Sequence, residues 1–414
     1  MQKYHLDFHI HSKYSRAVSQ NMDLEHLEES AKKKGIEIVG TGDFTHPEWF
    51  KELKSKLKKI GPGVYKLNLD SPINFIISGE ISCIYSKGGR VYRIHVVILP
   101  SSIEAAEKIN LAISWIGNVK SDGRPILGID VIKLCELIWQ KDPEALIIPA
   151  HIWTPWFSLY GSASGFDSIR DAFGQYASRI YALETGLSSD PEMNWRVKEI
   201  REKVLVSNSD AHSPDNLGRE LTVLETNGDF SFPLFSQILH EGYQSKMGKI
   251  YTVEFYPEEG KYHYDGHRNC KVSLSPQESK KINDICPVCN KKLTIGVLNR
   301  VNKLADSKEP VVPVGASFLY AIPLRELISQ IEGVGAASKK VKDEYEKVVN
   351  QVPEIEFLLY ADKDKLMSIG GENLALAVLA MRQNEVEKIP GFDGQFGKIT
   401  VKINLKKEEQ ARLF

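Results

Sequence analysis

The sequence contains no apolar run of about 18 residues or more, so no segment reads as a membrane-spanning helix. Its opening residues, Met-Gln-Lys-Tyr-His-Leu-Asp-Phe-His-Ile-His-Ser, lack the basic stretch followed by an apolar stretch that marks a secretory leader, and a cytoplasmic location is expected. Cysteine is scarce: the 414 residues hold five, Cys83, Cys135, Cys270, Cys286 and Cys289. An odd count with three members clustered is not a disulfide framework. Cys83 and Cys135 lie in apolar surroundings and read as small core residues, while the other three point to metal. Net charge is almost absent, at −1, so the charge of the chain as a whole argues neither for nor against a nucleic-acid partner. Internal repeats are missing. At 42% hydrophobic and 26% charged residues the composition excludes a disordered or fibrous chain. At about 100–200 residues per domain, the length suits two or three domains.

The charge is unevenly spread. Between Lys261 and Lys303 there are nine Lys or Arg and three Asp or Glu, which makes that stretch +6 and the rest of the chain −7. A compact basic module on an otherwise acidic chain suits a polyanion-facing surface. Up to about residue 225, β-rich runs (4–10, 36–40, 73–81, 91–99, 145–151, 180–184 and 204–207) alternate with amphipathic stretches such as 23–34 and 129–140. This rhythm predicts an α/β fold with a parallel sheet and covering helices, open or closed into a barrel.

The chemistry is concentrated where those strands end. In residues 4–11, alternation places Leu6, Phe8 and Ile10 on one face of a strand and His5, Asp7, His9 and His11 on the other. A face lined by imidazoles is poor packing but natural for metal, because His9 and His11 can ligate one ion together. Later strands run into Asp43 and His46, Glu80, His151, Glu184, and Asp210 with His212, and the strand 91–99 carries His95. Strand ends in a parallel α/β structure converge on one face, so these residues together supply N and O ligands for two or three ions.

These motifs, His-Ile-His-Ser at 9–12, Thr-Gly-Asp-Phe-Thr-His at 41–46, Gly-Glu at 79–80, His95, His151 and Ser-Asp-Ala-His at 209–212, resemble the PHP superfamily of metal-dependent phosphoesterases. The resemblance covers about the first 225 residues. It implies a distorted (β/α)7 barrel with its metal cluster at the strand C-termini. His9, His11, Glu80 and Asp210 would hold one ion, and Glu80, His95 and His151 a second. A third would fall to His212 with Asp43 or His46, where the sequence departs from the usual Thr-Asp-His spacing. Glu80, Asp210 and His151 are the residues on which catalysis would rest, by a metal-activated water acting on a phosphate ester.

Two further motifs follow. His267-x2-Cys270 and Cys286-x2-Cys289 have the spacing of a closed structural zinc site, with His263 as an alternative to His267. Residues 327–340 join two helical patterns through Gly333-Val-Gly335, with Lys339 and Lys340 just beyond. This is the pattern of a helix-hairpin-helix that meets DNA phosphate, or of an ordinary helical hairpin. After His151, Trp153, Trp156, Phe157, Tyr160, Ser164 and Phe166 crowd together. Core packing explains such a run, and so do the walls of a pocket for an extruded base.

Taken in order, the chain resembles the endonuclease Q family through Asp-Phe-His-Ile-His-Ser, Thr-Gly-Asp-Phe-Thr-His-Pro, the His-x2-Cys…Cys-Pro-Val-Cys segment and Gly391-Phe-Asp-Gly-Gln-Phe-Gly-Lys-Ile. That resemblance implies nicking of duplex DNA 5′ to deaminated bases (uracil, hypoxanthine, xanthine) and abasic sites, leaving 3′-OH and 5′-phosphate. Two or three zinc ions would lie in the active site, with magnesium or manganese as alternatives, and one structural zinc elsewhere. The expected organisation is a catalytic barrel at 1–245, a zinc-binding basic module at 246–305, a helical DNA-binding domain at 306–400 and a tail at 401–414. In the tail, Gln410, Leu413 and Phe414 resemble part of a sliding-clamp peptide, against the alternative of a solvated end. A monomer is expected, with no membrane partner. The competing readings are a 3′–5′ exonuclease, a small-molecule phosphoesterase and a non-catalytic DNA-binding scaffold.

Overall fold

A computed structural model describes residues 1–403. Each expected β-rich run contains strand: β1 Gln2–Asp7, β2 Ile38–Gly40, β3 Asn74–Ile76, β4 Gly79–Lys87, β5 Arg90–Leu99, β6 Leu146–Pro149, β7 Ala182–Glu184 and β8 Val204–Val206, while β9 Leu221–Thr226, β10 Gly248–Glu254 and β11 Phe318–Tyr320 lie beyond the expected series. The helix Leu24–Lys34 begins where the Asp23 carboxylate accepts from His26 N. It ends at Gly35, whose left-handed backbone lets its N–H reach Ala31 O.

The sheets are mixed rather than wholly parallel. One has eight strands in the order β11-β10-β9-β1-β2-β3, followed by 64–66 and 58–61. A second has four, 126–127, β4, β5 and β6, and a third joins β7 to β8. β1, β2 and β3 run parallel, but β9 is antiparallel to both β1 and β10. β5 is antiparallel to both its neighbours because it follows β4 through a hairpin at Gly88-Gly89, both with positive φ. Among the described residues the hydrogen-bonded ladder is therefore divided among these sheets. The sheets nonetheless share a buried cluster: Leu6 and Ile38 from the first, Val97 and Ile148 from the second, Ala182 and Val206 from the third.

Residue 246 was read as the start of the basic module, yet β10 pairs with β9 at six positions and so extends the large sheet. The helices beyond Pro323 have a separate core that includes Leu327, Val341, Phe357 and Val378. They are fastened to the first domain by a buried ion pair, Lys34 to Glu354 at 3.0 Å, with Tyr345 and Leu324 N also donating to Glu354. Gln410, Leu413 and Phe414 lie outside the described residues. No described helix is long and apolar enough to cross a membrane.

Behind the strand ends lies a layer of buried carboxyls. Glu254 accepts from the hydroxyls of Ser207 (2.6 Å) and Thr185 (3.2 Å), and so ties β10 to the loops that follow β8 and β7. Burial pushes its pKa up to about 8, and burial together with neighbouring Glu254 pushes Glu220 well up. In the unfolded chain Glu254 ionises at its ordinary value near 4.5, whereas the folded chain keeps the proton to about 8. The unfolded state therefore binds fewer protons across that window, and stability falls as pH rises through it. The melting temperature of Glu254→Gln is expected to decline less than that of the unsubstituted protein between pH 5 and 9. Parallel declines in a thermal melt series would show that Glu254 carries no such proton.

Candidate metal centre

Each strand exit delivers one or two side chains to a common point. His9 and His11 follow β1, Glu80 is the second residue of β4, His151 lies just past β6, and Asp210 and His212 follow β8. Because β5 is reversed, its ligand comes from mid-strand. His95 sits opposite Ser82, and its carbonyl accepts from Ala150 N beside the exit of β6. His151 and Asp210 have positive φ, a conformation costly for non-glycine residues, held here by surrounding structure.

Three groups of ligand atoms result, each within 4.8 Å: His9, His11 and Glu80; Glu80, His95 and His151; His11, Asp210 and His212. Glu80 belongs to the first two and His11 to the first and third. One Glu80 oxygen lies 2.5 Å from His95 Nδ1, 3.2 Å from His151 Nε2 and 3.7 Å from His9 Nε2. The other lies 3.5 Å from His11 Nε2 and 3.1 Å from Arg124. Asp210 approaches His11 Nε2 at 3.0 Å.

The rings are aimed from behind. His9 Nδ1 contacts both oxygens of Glu184 at 2.9 Å, and His11 Nδ1 contacts Asp43 at 3.0 Å. Each contact turns Nε2 toward the cluster, where His9 Nε2 is buried without a hydrogen-bond partner and His11 Nε2 meets Asp210 Oδ1. Ring nitrogens aimed at shared carboxylates, with further carboxylates on the far ring nitrogens, are the arrangement of a metal site. His212 Nδ1 donates to Asp210 O at 2.8 Å, which frees its Nε2.

Asp43 and His46 do not join His212. Asp43 spends its oxygens on His11, on Ser12 N and Oγ, and on Ser15 Oγ. His46 stacks on Tyr14, 4.5 Å away, and its Nε2 meets Lys120 O. The third group is instead His212 with Asp210 and His11.

Electrostatics follow from burial and these contacts. Burial would raise Asp210 and Glu80, but His11 and His9 hold Asp210 well below the carboxylate range, and His95, Arg124 and His9 do the same for Glu80. His11 is pushed up to about 9, against burial, chiefly by Asp43 and Asp210. His95 is pushed down to about 4, chiefly by burial. The site thus carries permanent anionic charge that either imidazole protons or cations must balance.

A second group, His267, Cys270, Cys286 and Cys289, also has all its ligand atoms within 4.8 Å. The hairpin 265–274 supplies the first two, and the tight turn in which Asn290 N donates to Cys286 O supplies the others. Burial opposes ionisation of Cys286, but the N–H groups of Val288 and Cys289 bring it down to about 7. Three thiols and an imidazole in this arrangement fit a tetrahedral cation. His263 is buried elsewhere and takes no part.

The aromatic run after His151 is dispersed. Trp153 and Tyr160 are fully buried and stacked 4.8 Å apart, donating to Asn194 and Glu199. Phe166 stacks on Tyr92 at 3.9 Å, Phe157 packs on His95, and Ser164 accepts from Phe157 N. Trp156 is partly exposed with its edge on Tyr262. None of the six lines the cavity of ≈460 Å³ beside the metal groups. That cavity is lined by His151, Asp210 and His212 with Thr154, Ser188, Asn208 and Arg219, and also by Lys261, Tyr262 and Phe396. The aromatics were misplaced because composition does not separate a core aromatic from a pocket aromatic. Glu184 and Arg124 take part in roles the strand pattern did not reveal. Residues 333–337 are exposed between helices Leu324–Glu332 and Lys339–Val349; Gly333 and Gly335 are open, Lys339 is exposed, and Lys340 pairs with Glu332.

Residues 323–385 match the model of the MJ0043 C-terminal domain family. The uncharacterized protein MJ0043 of Methanocaldococcus jannaschii is 34% identical over 256 residues, 60% of this chain, and the match spans 31% of that protein's length. The uncharacterized protein YqxK of Bacillus subtilis is 28% identical over 96% of this chain and 100% of its own. Among solved structures, the lesion-specific endonuclease PfuEndoQ from Pyrococcus furiosus superposes with a TM-score of 0.86 and 30% identity, covering 100% of this chain and 98% of that one. An endonuclease Q complex with a 27-mer duplex carrying an abasic lesion at the active site gives 0.85 and 30%, with both chains covered completely.

The four-ligand group predicts a measurable dependence on metal. Cys286→Ser with Cys289→Ser should lose one bound cation per chain by elemental analysis and lower the melting temperature, because a structural metal supplies folding free energy to a small module. Unchanged metal content and melting would exclude a cation there.

Proposed function

The chain belongs to the endonuclease Q family, and from that premise we propose that it is a DNA repair endonuclease that cuts the phosphodiester 5′ to a deaminated base or an abasic site, leaving 3′-OH and 5′-phosphate. The observation that carries the reading is the meeting of three shared ligand groups with a cavity large enough for a nucleoside, in a chain that matches such enzymes along its whole length.

His9, His11, Glu80, His95, His151, Asp210 and His212 would hold two or three divalent cations in a PHP-type barrel, zinc by the chemistry of the histidine-rich set, with magnesium or manganese as alternatives. When bound, such cations supply an activated water and offset the charge of the phosphate. The chain's own residues do the rest. Glu80 and Asp210 keep their negative charge in a buried site and thereby favour cation binding over an empty state. Glu184 and Asp43 fix the imidazoles of His9 and His11, so the ligands need little rearrangement. Arg124, paired with Glu80, helps to hold that carboxylate in its charged form. His151 stands between Glu80 and the cavity, with Thr154 at its second ring nitrogen, at the point where the sugar-phosphate of an extruded nucleotide would enter. The zinc held by His267, Cys270, Cys286 and Cys289 would stiffen the basic module as a DNA-facing wall. The exposed hairpin at Gly333 and Gly335, with Lys339 and Lys340, would meet the duplex backbone.

A labelled duplex with a single deoxyuridine tests the proposal. One discrete nick is expected. Progressive shortening would select the exonuclease reading, and binding without cleavage the scaffold. Asp210→Asn is expected to fold and bind duplex but to cleave about a thousandfold more slowly, since metal assistance is worth several kcal/mol and each 1.36 kcal/mol is tenfold. Full turnover by a folded Asp210→Asn protein would refute the assignment of Asp210.

A further inference from the structure

The segment Gly391–Gly397 is the loop of the hairpin formed by strands 386–389 and 398–401, yet its contacts are with the zinc-binding module. Gly391 N donates to Glu258 O, Gly394 N to Lys261 O, Gly397 N to Glu259 O, and Tyr264 N to Gly391 O, at 2.7 to 2.9 Å. Asp393 accepts from Arg268 N at 2.7 Å and from the Thr294 hydroxyl at 2.6 Å. Such close backbone contact requires glycine. A Cβ on Gly391 would lie 2.5 Å from Gly260 O, and one on Gly397 would lie 2.2 Å from Glu258 O. The loop is thereby fixed at a set position against residues 258–268.

What the loop presents there is Phe396, a large apolar side chain left 64% exposed. It belongs to no buried cluster, so packing does not account for it. It lines the cavity beside the metal groups, together with His151, Asp210 and His212. Lys261 holds its ammonium 4.5 Å from the ring centroid, occupying one side of the ring. The polar lining of the same cavity includes Thr154, Ser188 and Arg219, side chains of the kind that read a base edge.

We propose that Phe396 is the aromatic wall against which the extruded lesion base stacks, so that the C-terminal hairpin, carried into place by the zinc-binding module, completes a pocket whose metal-bearing residues come from the first domain. The inference rests on the endonuclease reading above. Stacking requires a base. An abasic nucleotide therefore enters the same cavity without using Phe396, and the residue discriminates among lesions while leaving the hydrolysis itself alone.

The test uses the full-length protein and two duplexes, identical except for deoxyuridine or an abasic site at one position. Phe396→Ala should melt with the unsubstituted protein, cleave the deoxyuridine duplex roughly ten- to a hundredfold more slowly, and cleave the abasic duplex within about twofold, as the usual cost of losing one base–aromatic stack requires. Phe396→Tyr should restore cleavage of the deoxyuridine duplex. Equal losses on the two duplexes, or no loss on either, would overturn the assignment of Phe396 and leave the endonuclease reading standing. Failure of the unsubstituted protein to nick either duplex would overturn that reading, and this inference with it.

Discussion

A carboxylate removed from water must find positive charge or give up its own, and Glu80 finds it on every side. It has no solvent exposure, and its two oxygens are shared among His9, His11, His95, His151 and Arg124. No two of these five residues lie on the same element except His9 and His11. The position of one side chain at the start of β4 therefore sets where the ends of β1 and β6, the middle of β5 and the loop of Arg124 must come. This need also explains why the strands are split among three sheets around one buried cluster: convergence on Glu80 matters, and a continuous ladder does not.

Convergence alone would give a collection of mobile imidazoles. Rigidity comes from a further ring of carboxylates that never face the cluster. Glu184 and Asp43 fix the tautomers of His9 and His11, and each is itself tied down. Glu184 accepts from His151 N and Asn208 Nδ2, and Asp43 accepts from Ser12 and Ser15. Farther back, Asp7 accepts from Ser209 N and Gly218 N and so holds the loop that carries Asp210. Acidic residues thus serve as ligand, orienting group and anchor at increasing depth, and their type alone does not reveal which.

That ambiguity marks the limit of what the sequence disclosed. Alternation along residues 4–11 placed His5, Asp7, His9 and His11 on one face, because side-chain direction in a strand is a matter of period. It could not separate His9 and His11 from His5, which binds Glu37 and Tyr360, or from the anchoring Asp7, because that division is made by partners more than thirty residues away in sequence. Asp43 and His46 were mistaken for ligands for the same reason. The cysteine spacing was more informative, since two short turns fix four ligands locally, and only the choice between His263 and His267 was left to the fold. The reversal of β5 had a local signal in Gly88-Gly89. The cavity lining at Tyr262 and Phe396 had none, because these residues lie about 50 and about 180 positions beyond the last ligand of the cluster, His212.

The arrangement of the cavity assigns a purpose to the parts that do not carry metal ligands of the cluster. A small-molecule phosphoesterase needs only the metal groups and the loops at the strand ends, all of which lie before residue 213. Here part of the cavity lining is made by Lys261 and Tyr262 from the basic module and Phe396 from the last hairpin, and glycines at 391 and 397 hold the two together backbone to backbone. The four-ligand group lies in the same module, where a cation would stiffen the segment against which that hairpin docks. Metal in the module would thus act on the cavity through the position of a wall, while metal in the cluster would act on the phosphate. The first contribution would change which nucleotide fits and the second how fast a phosphate is cut, so one chain can keep a general hydrolytic centre and still select its substrate by shape.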